Sequence, residues 1–200
     1  MSTTPPNTRT KILQATLDLL FADPPSETRM SDVAAQADVS RQAVYLHFKN
    51  RTDLLIAATH FLDEKLDTNA RLAASRTAPT GLDRLQAFVS AWGGYIPEIY
   101  QIATVLISLS DTDKAAAAAW QIRIQDMREG CAAAIDALNA DGTLSPNFTA
   151  EDATDILWTL LSVGNWEQST SVCGWSQEKY LAMLTLVTQY LFYAGAAKTP

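Results

Sequence analysis

The chain has 200 residues, enough to bury a sizeable core in one or two domains, and a net charge of −7 that at first sight disfavours a polyanionic partner. Glycine and proline number eight each, alanine and leucine abound and no long alternating strand pattern occurs, so an all-α fold is expected. No apolar run approaches the ~20 residues that span a bilayer, the N-terminal MSTTPPNTRTK lacks the regions of a signal peptide, and Cys131 and Cys173 lie too far apart to suggest a metal site or a disulfide framework. No membrane, metal or cofactor is expected, and the cytoplasm is the expected home.

Residues 1–6, rich in Ser, Thr and Pro, are expected to be disordered. Asn7 or Thr8 can open helix 1, which places Ile12, Leu13, Ala15, Thr16, Leu17, Leu19, Leu20 and Phe21 toward a core. Asp23-Pro24-Pro25 ends it, because proline disfavours the helical conformation of the residue before it.

The stretch 31–51, SDVAAQADVSRQAVYLHFKNR, reads as two short helices joined by a tight turn. Val33, Ala34 and Ala37 give the first an apolar stripe, and Asp38-Val39 turns the chain. Ser40 suits an N-cap, its hydroxyl accepting from an amide of the next turn. In the second helix, Arg41 to Phe48, the residues Ala43, Val44 and Phe48 can pack inward while Arg41, Gln42, Tyr45 and His47 project. Polar, aromatic and basic side chains at the start of a short helix match the donors and acceptors displayed in a major groove. Charge is divided accordingly. Residues 1–51 carry six basic and five acidic side chains, and the remainder carries −8, so phosphates would attract the head and repel the bulk.

VSRQAVYLHFKNRTDLL closely resembles the recognition-helix segment of TetR-family (tetracycline-repressor-like) transcriptional regulators, a likeness specific over about residues 8–60. Val39, Ser40, Val44, Tyr45, His47, Phe48, Arg51, Leu54 and Leu55 stand in the places of the family motif. The resemblance implies a nine-helix, two-domain, all-α fold, with a three-helix DNA-binding head over residues 1–50 and an effector-binding, dimerising body over 51–200. Helix 4, about 51–76, joins the two. The sequence departs from the pattern twice. Arg29 replaces the usual Thr before Met30, with Thr28 one place earlier, so either Thr28 shifts the cap of helix 2 or Arg29 reaches a phosphate. Asp38 replaces the usual turn Gly, at modest cost because Asp tolerates a left-handed backbone.

The implied contacts in the head are Arg41 and Gln42 on base edges and Ala43 on a thymine methyl. Tyr45, His47, Lys49 and Arg51 fall on the DNA backbone, with Ser40, Thr28 or Arg29 helping at a phosphate.

Beyond the head, Asn50 with Asp53 caps helix 4, and His60 is read as a core or boundary residue beside Ile56 and Phe61. Thr80 with Asp83 opens helix 5, Pro97 marks a break before a short apolar helix over 98–109, and Asp111-Thr112-Asp113 caps helix 7, which runs to about Asn139. DGTLSPNF is a loop, Thr149 with Asp152 starts helix 8 through about Gln168, and Ser176 opens helix 9, ending near Gly195.

Helix 9 is apolar on all sides, which demands a covering surface. The resemblance assigns helices 8 and 9 to a homodimer interface formed by Thr159, Val163, Trp166, Met183, Leu184, Val187 and Leu191; a fully internal helix 9 is the alternative. The family also holds a small-molecule effector among helices 4 to 8. There Trp92, Tyr95, Tyr100, Trp120 and Trp158, with Leu62, Leu106, Ile124 and Leu161, are the candidate wall of a pocket for an apolar or aromatic molecule, or else core. Glu98, Asp155 and Glu167 are candidates for pairing with a cationic ligand. The implied function is that of a homodimeric repressor that binds a palindromic double-stranded DNA operator and is released by the effector. The residues hold no phosphate loop, nucleophile motif or metal-ligand spacing, so catalysis is not expected; a helical sensing adaptor without DNA binding is the alternative.

Overall fold

The computed structural model describes residues 7–22 and 28–195. Both the expected disordered lead over 1–6 and the Asp23-Pro24-Pro25 terminator lie outside the described residues. Eleven α-helices occur among those described: α1 (Thr8–Leu20), α2 (Met30–Gln36), α3 (Arg41–His47), α4 (Arg51–Leu66), α5 (Thr68–Arg71), α6 (Ala73–Arg76), α7 (Gly81–Ser110), α8 (Lys114–Ala140), α9 (Ala150–Leu160), α10 (Val163–Glu167) and α11 (Gln177–Phe192), with a π-helical turn over Gln168–Val172 after α10. The only extended pairing among the described residues is an isolated bridge between Leu144 and Tyr193. The all-α expectation holds, while the count of nine does not, for three local reasons.

The expected helix 4 ends early. Asp67 takes a left-handed backbone (φ 42°) and caps α5 by accepting the Ala70 amide at 3.1 Å, so the ladder is interrupted at Leu66 and again at Leu72. The second difference has the opposite sign: Pro97 breaks nothing and lies inside the 30-residue α7. A helical proline leaves the carbonyl four residues earlier without its amide partner. Here that carbonyl belongs to Gly93, and the Gln177 side-chain amide donates to it at 2.9 Å. Gln177 in turn accepts the Trp166 indole N–H at 2.8 Å, so the vacated acceptor is filled by a three-residue relay. Third, the expected helix 8 stops at Leu160. Ser162 accepts the Asn165 amide at 3.1 Å and starts α10, and the Asn165 side chain donates to the Leu160 carbonyl at 2.6 Å. Ser and Asn side chains offering the backbone such alternatives are what interrupts helices.

The expected caps are present. Asn7, Ser40, Asn50, Thr80, Thr149 and Ser176 each accept an amide three residues on, at 2.8–3.1 Å. Asp113 caps α8 through the Ala115 and Ala116 amides, and its other oxygen accepts the Thr52 hydroxyl at 2.5 Å. These bonds hold the Asp113 carboxyl below the usual range, the Thr52 hydroxyl foremost.

The chain divides into two compact units, Met1–Leu66 with Gln101–Gln121, and Asp67–Tyr100 with Ile122–Pro200. The first boundary therefore coincides with the left-handed residue after α4, and α4 shares its unit with the head and with residues 101–121. In the first unit Ile12, Leu13, Leu17 and Leu20 of α1 meet Val33, Val44, Leu54 and Leu55 in a closed core. Phe21, read as core, is 40% exposed, and His60 also faces out: each falls on the polar side of its helix. In the second unit the core comprises Leu85, Val89, Ile96, Cys131, Ile135, Leu157, Tyr180 and Phe192 among others. Two glycines permit close approach there. A Cβ on Gly81 would stand 2.6 Å from the backbone of α8, and one on Gly93 would stand 2.8 Å from Leu181.

Candidate nucleic-acid interface and sensing region

α3 is short because Ser40 starts it and Phe48 leaves the helical conformation at its end. Val44 is buried, Phe48 is 2% exposed, and the Arg9 guanidinium lies over the Phe48 ring at 5.4 Å. With these two anchored, Arg41, Gln42, Tyr45 and His47 are exposed along α3, Lys49 follows it, and Ala43 is half-buried at the edge. Arg41 sits over the Tyr45 ring at 5.6 Å, so the guanidinium is partly ordered before any partner arrives.

Two candidate contacts need correction, Thr28 and Arg51. Thr28 is 1% exposed, in a left-handed conformation (φ 43°), and presents nothing to a duplex. Its carbonyl and hydroxyl accept Arg51 Nε and Nη2, both at 3.2 Å, so half-buried Arg51 clips the entry of α2 to the start of α4 instead of reaching freely for a phosphate. Ser40 accepts the Ala43 amide and is exposed, so its hydroxyl hydrogen can still donate to a phosphate. Neither Thr28 nor Arg29 caps α2 with its side chain; Arg29 is exposed.

One residue of this face escaped the sequence reading. Leu46 is 80% exposed, pointing away from Val44 and Phe48. The turn angle of 100° per residue places it opposite the midpoint of those two, a signal that was present in the sequence.

The ligand candidates do not share one unit. Leu62, Leu106 and Trp120 belong to the first; Trp92, Tyr95, Tyr100, Ile124, Trp158 and Leu161 belong to the second. Leu62, Leu106, Tyr95 and Leu161 are buried, and Leu161 is part of the second unit's core rather than a free wall, since α9 needs an apolar inner face. Trp120, Ile124 and Trp158 are half-buried. Tyr100 donates to Glu167 at 2.5 Å and packs on Trp166 at 4.8 Å; the carboxylate, then burial, pushes its hydroxyl up to about 12.

The three acids proposed for a cation are engaged: Glu98 with Arg71 at 2.7 Å, Asp155 with Arg128 at 2.7 Å, and Glu167 with Tyr100. Two buried donors lack an acceptor instead, the Trp92 indole N–H and the Arg71 Nε–H. Both side chains flank Tyr95, with Trp92 at 5.5 Å between ring centroids and the Arg71 guanidinium at 5.3 Å. Arg71 could not be singled out from sequence, because only the fold sets it beside Glu98 and Tyr95.

Of the dimer candidates, Leu184 is 5% exposed within the protomer's own core, because it shares the inner face of α11 with Tyr180, Thr188 and Phe192. Trp166 is half-buried by Tyr100, Val163, Met183 and Leu191 are half-buried, and Thr159 and Val187 are exposed. Leu186 and Tyr190, absent from the candidate set, are 59% and 87% exposed. Helix α11 is therefore not apolar on all sides to equal effect: one side is core and the other is open.

Residues 12–58 match the family model for bacterial regulatory proteins of the tetR family. The chain is 25% identical over 155 residues to the HTH-type transcriptional regulator CymR of Pseudomonas putida, covering 78% of this chain and 74% of that protein. The crystal structure of a transcriptional regulator from Saccharomonospora viridis in complex with choline shares the fold at a TM-score of 0.80 and 18% identity, over 92% of this chain and 97% of that one. NalD of Pseudomonas aeruginosa, described as the secondary repressor of the MexAB-OprM multidrug efflux pump, superposes with a TM-score of 0.66 at 21% identity, over 93% and 96%. Residues 12–58, which hold α2 and α3, are similar to the tetR-family DNA-binding segment, and the fold as a whole is similar to that of these regulators. The matched relatives are transcriptional regulators and not enzymes, which favours DNA binding over the adaptor alternative. Among the described residues, no helix is long and apolar enough to cross a membrane.

Proposed function

We propose that the protein is a cytoplasmic, homodimeric repressor that binds a palindromic operator and releases it when a small effector enters the 51–200 region. The outward face of α3 carries the DNA half of this reading: four exposed polar, aromatic or basic side chains on a helix anchored by Val44 and Phe48. Arg41 and Gln42 read base edges, Arg preferring guanine and Gln adenine, with Ala43 against a thymine methyl at the edge of the face. Arg29, Tyr45, His47 and Lys49 hold the backbone. One such helix reads few base pairs, so two heads related by a two-fold axis meet half-sites about one helical turn (~34 Å) or a multiple apart. The apolar outer face of α11, Leu186, Val187 and Tyr190 with half-buried Met183, supports pairing with a second copy.

The effector reading rests on Trp92, Tyr95 and Arg71. Aromatic side chains beside two unpartnered buried donors favour an aromatic molecule carrying a carbonyl or carboxylate oxygen; leaving such donors unmet costs about 1–3 kcal/mol each. The regulator with choline shows that this fold accommodates a cation elsewhere, yet Glu98, Asp155 and Glu167 are each already engaged here. Control follows if the effector binds a non-operator conformation more tightly, since only differential affinity moves the equilibrium.

Selecting bound sequences from random DNA, then screening for compounds that release them, tests the reading. A palindromic consensus and release by aromatic acids or ketones are expected. A non-palindromic consensus, or release only by cations, would sink the corresponding half.

A further inference from the structure

We infer that Leu46 is a specificity-determining residue of the operator contact, reading the C5-methyl group of a thymine. The inference rests on the assignment of α3 as the helix that enters the major groove.

Leu46 is 80% exposed, against 44% for Tyr45 beside it, while Val44 and Phe48 are closed into the head. Single exposed leucines are common and by themselves need no account. Position is what separates this one. At 100° per residue, Leu46 falls opposite the bisector of Val44 and Phe48, with Gln42 about 40° to one side and Ala43 about 60° to the other. It is thus the centre of the outward face, and both base-reading candidates around it are polar or small. A side chain at that centre meets the groove floor first if the helix lies in a major groove.

Leucine has no donor or acceptor, so it cannot read the hydrogen-bonding pattern of any base edge. The thymine methyl is the apolar group that the major groove displays, and apolar side chains discriminate by contact with it. A cytosine at the same place would set an amino group against the leucine and leave it without a hydrogen bond from that side chain. The occupant of this exposed apolar position is therefore a thymine in each half-site.

The decisive substitution is in the DNA. Deoxyuridine keeps every hydrogen-bonding group of thymidine and lacks the methyl. The full-length protein is first used to select its operator, and each thymine of the half-site is then replaced singly by deoxyuridine. One position is expected to weaken wild-type binding about three- to fivefold, the size of one buried methyl group. Leu46→Ala should bind the thymine duplex about equally weakly and show no further loss at that position. Leu46→Met, which keeps apolar reach, should retain the dependence. The inference is overturned if no deoxyuridine position matters, if it weakens wild type and Leu46→Ala alike, or if Leu46→Ala alters sedimentation instead of base preference. A protein that selects no sequence would overturn the DNA-binding assignment beneath it as well; a selected operator indifferent to these methyl groups overturns this inference alone.

Discussion

Helices α3 and α11 both expose one face, and the two faces differ in kind. On α3 the outward side chains are Arg41, Gln42, Tyr45 and His47 around a single leucine, while on α11 Leu186, Val187 and Tyr190 make an apolar surface. A charged, hydrogen-bonding face suits a hydrated polyanion whose contacts are traded for counterions. An apolar face gains only by leaving water, which a second copy of the same face provides. The inner faces match instead: Val44 and Phe48 under α3, and Leu184 and Phe192 under α11, are closed cores of ordinary chemistry. Function is thus written on the outer residues, and stability on the inner ones.

The sharpest way to break this contrast is to attack an inner residue. Phe48→Ala removes a 2% exposed ring and should cost about 3–5 kcal/mol, read as a lowered denaturation midpoint with loss of DNA binding. If stability hardly changed, α3 would not be anchored as described.

Next in size, Leu186→Glu with Tyr190→Glu places carboxylates on the open face of α11. Self-association should weaken roughly a hundredfold or more by sedimentation equilibrium, because charges buried without partners cost several kcal/mol. A dimer unaffected by both would move the interface elsewhere.

A smaller effect should separate two outer residues of the head. Arg41→Ala should cost about 1–3 kcal/mol on the cognate operator and relax preference at one position, whereas Lys49→Ala should weaken all sequences similarly and flatten the salt dependence. Equal losses on cognate and scrambled duplexes would erase the division between base and backbone contacts.

The smallest effect is at alkaline pH. The Tyr100 hydroxyl is raised to about 12 by its bond to Glu167, so the stability it contributes is complete below about pH 10, its unfolded value, and is lost as pH rises toward 12. Tyr100→Phe should show a shallower alkaline decline than wild type in thermal melts. Cys131, pushed up to about 12 by burial, and Tyr180, raised mainly by burial, act in the same direction, so a residual decline remains in the variant.

The class of fold, the turn and the caps were legible in the residues alone, because these depend on positions close to one another in the chain. Ser40, Asn50, Thr149 and Ser176 bond three residues on, and Asp38 takes the left-handed turn (φ 53°). The family motif could be read in the head for the same reason: its spacing is that of two adjacent short helices. That Pro97 is tolerated was set by long-range packing, since the acceptor it vacates is met by Gln177, far along the chain. Such packing also decided that Arg51 would hold Thr28, that Arg71 would take Glu98, and that Leu184 would turn inward while Leu186 and Tyr190 stayed open. Each of those outcomes depends on which distant partner arrives, and hydrophobic periodicity fixes only that a face is apolar, never what covers it.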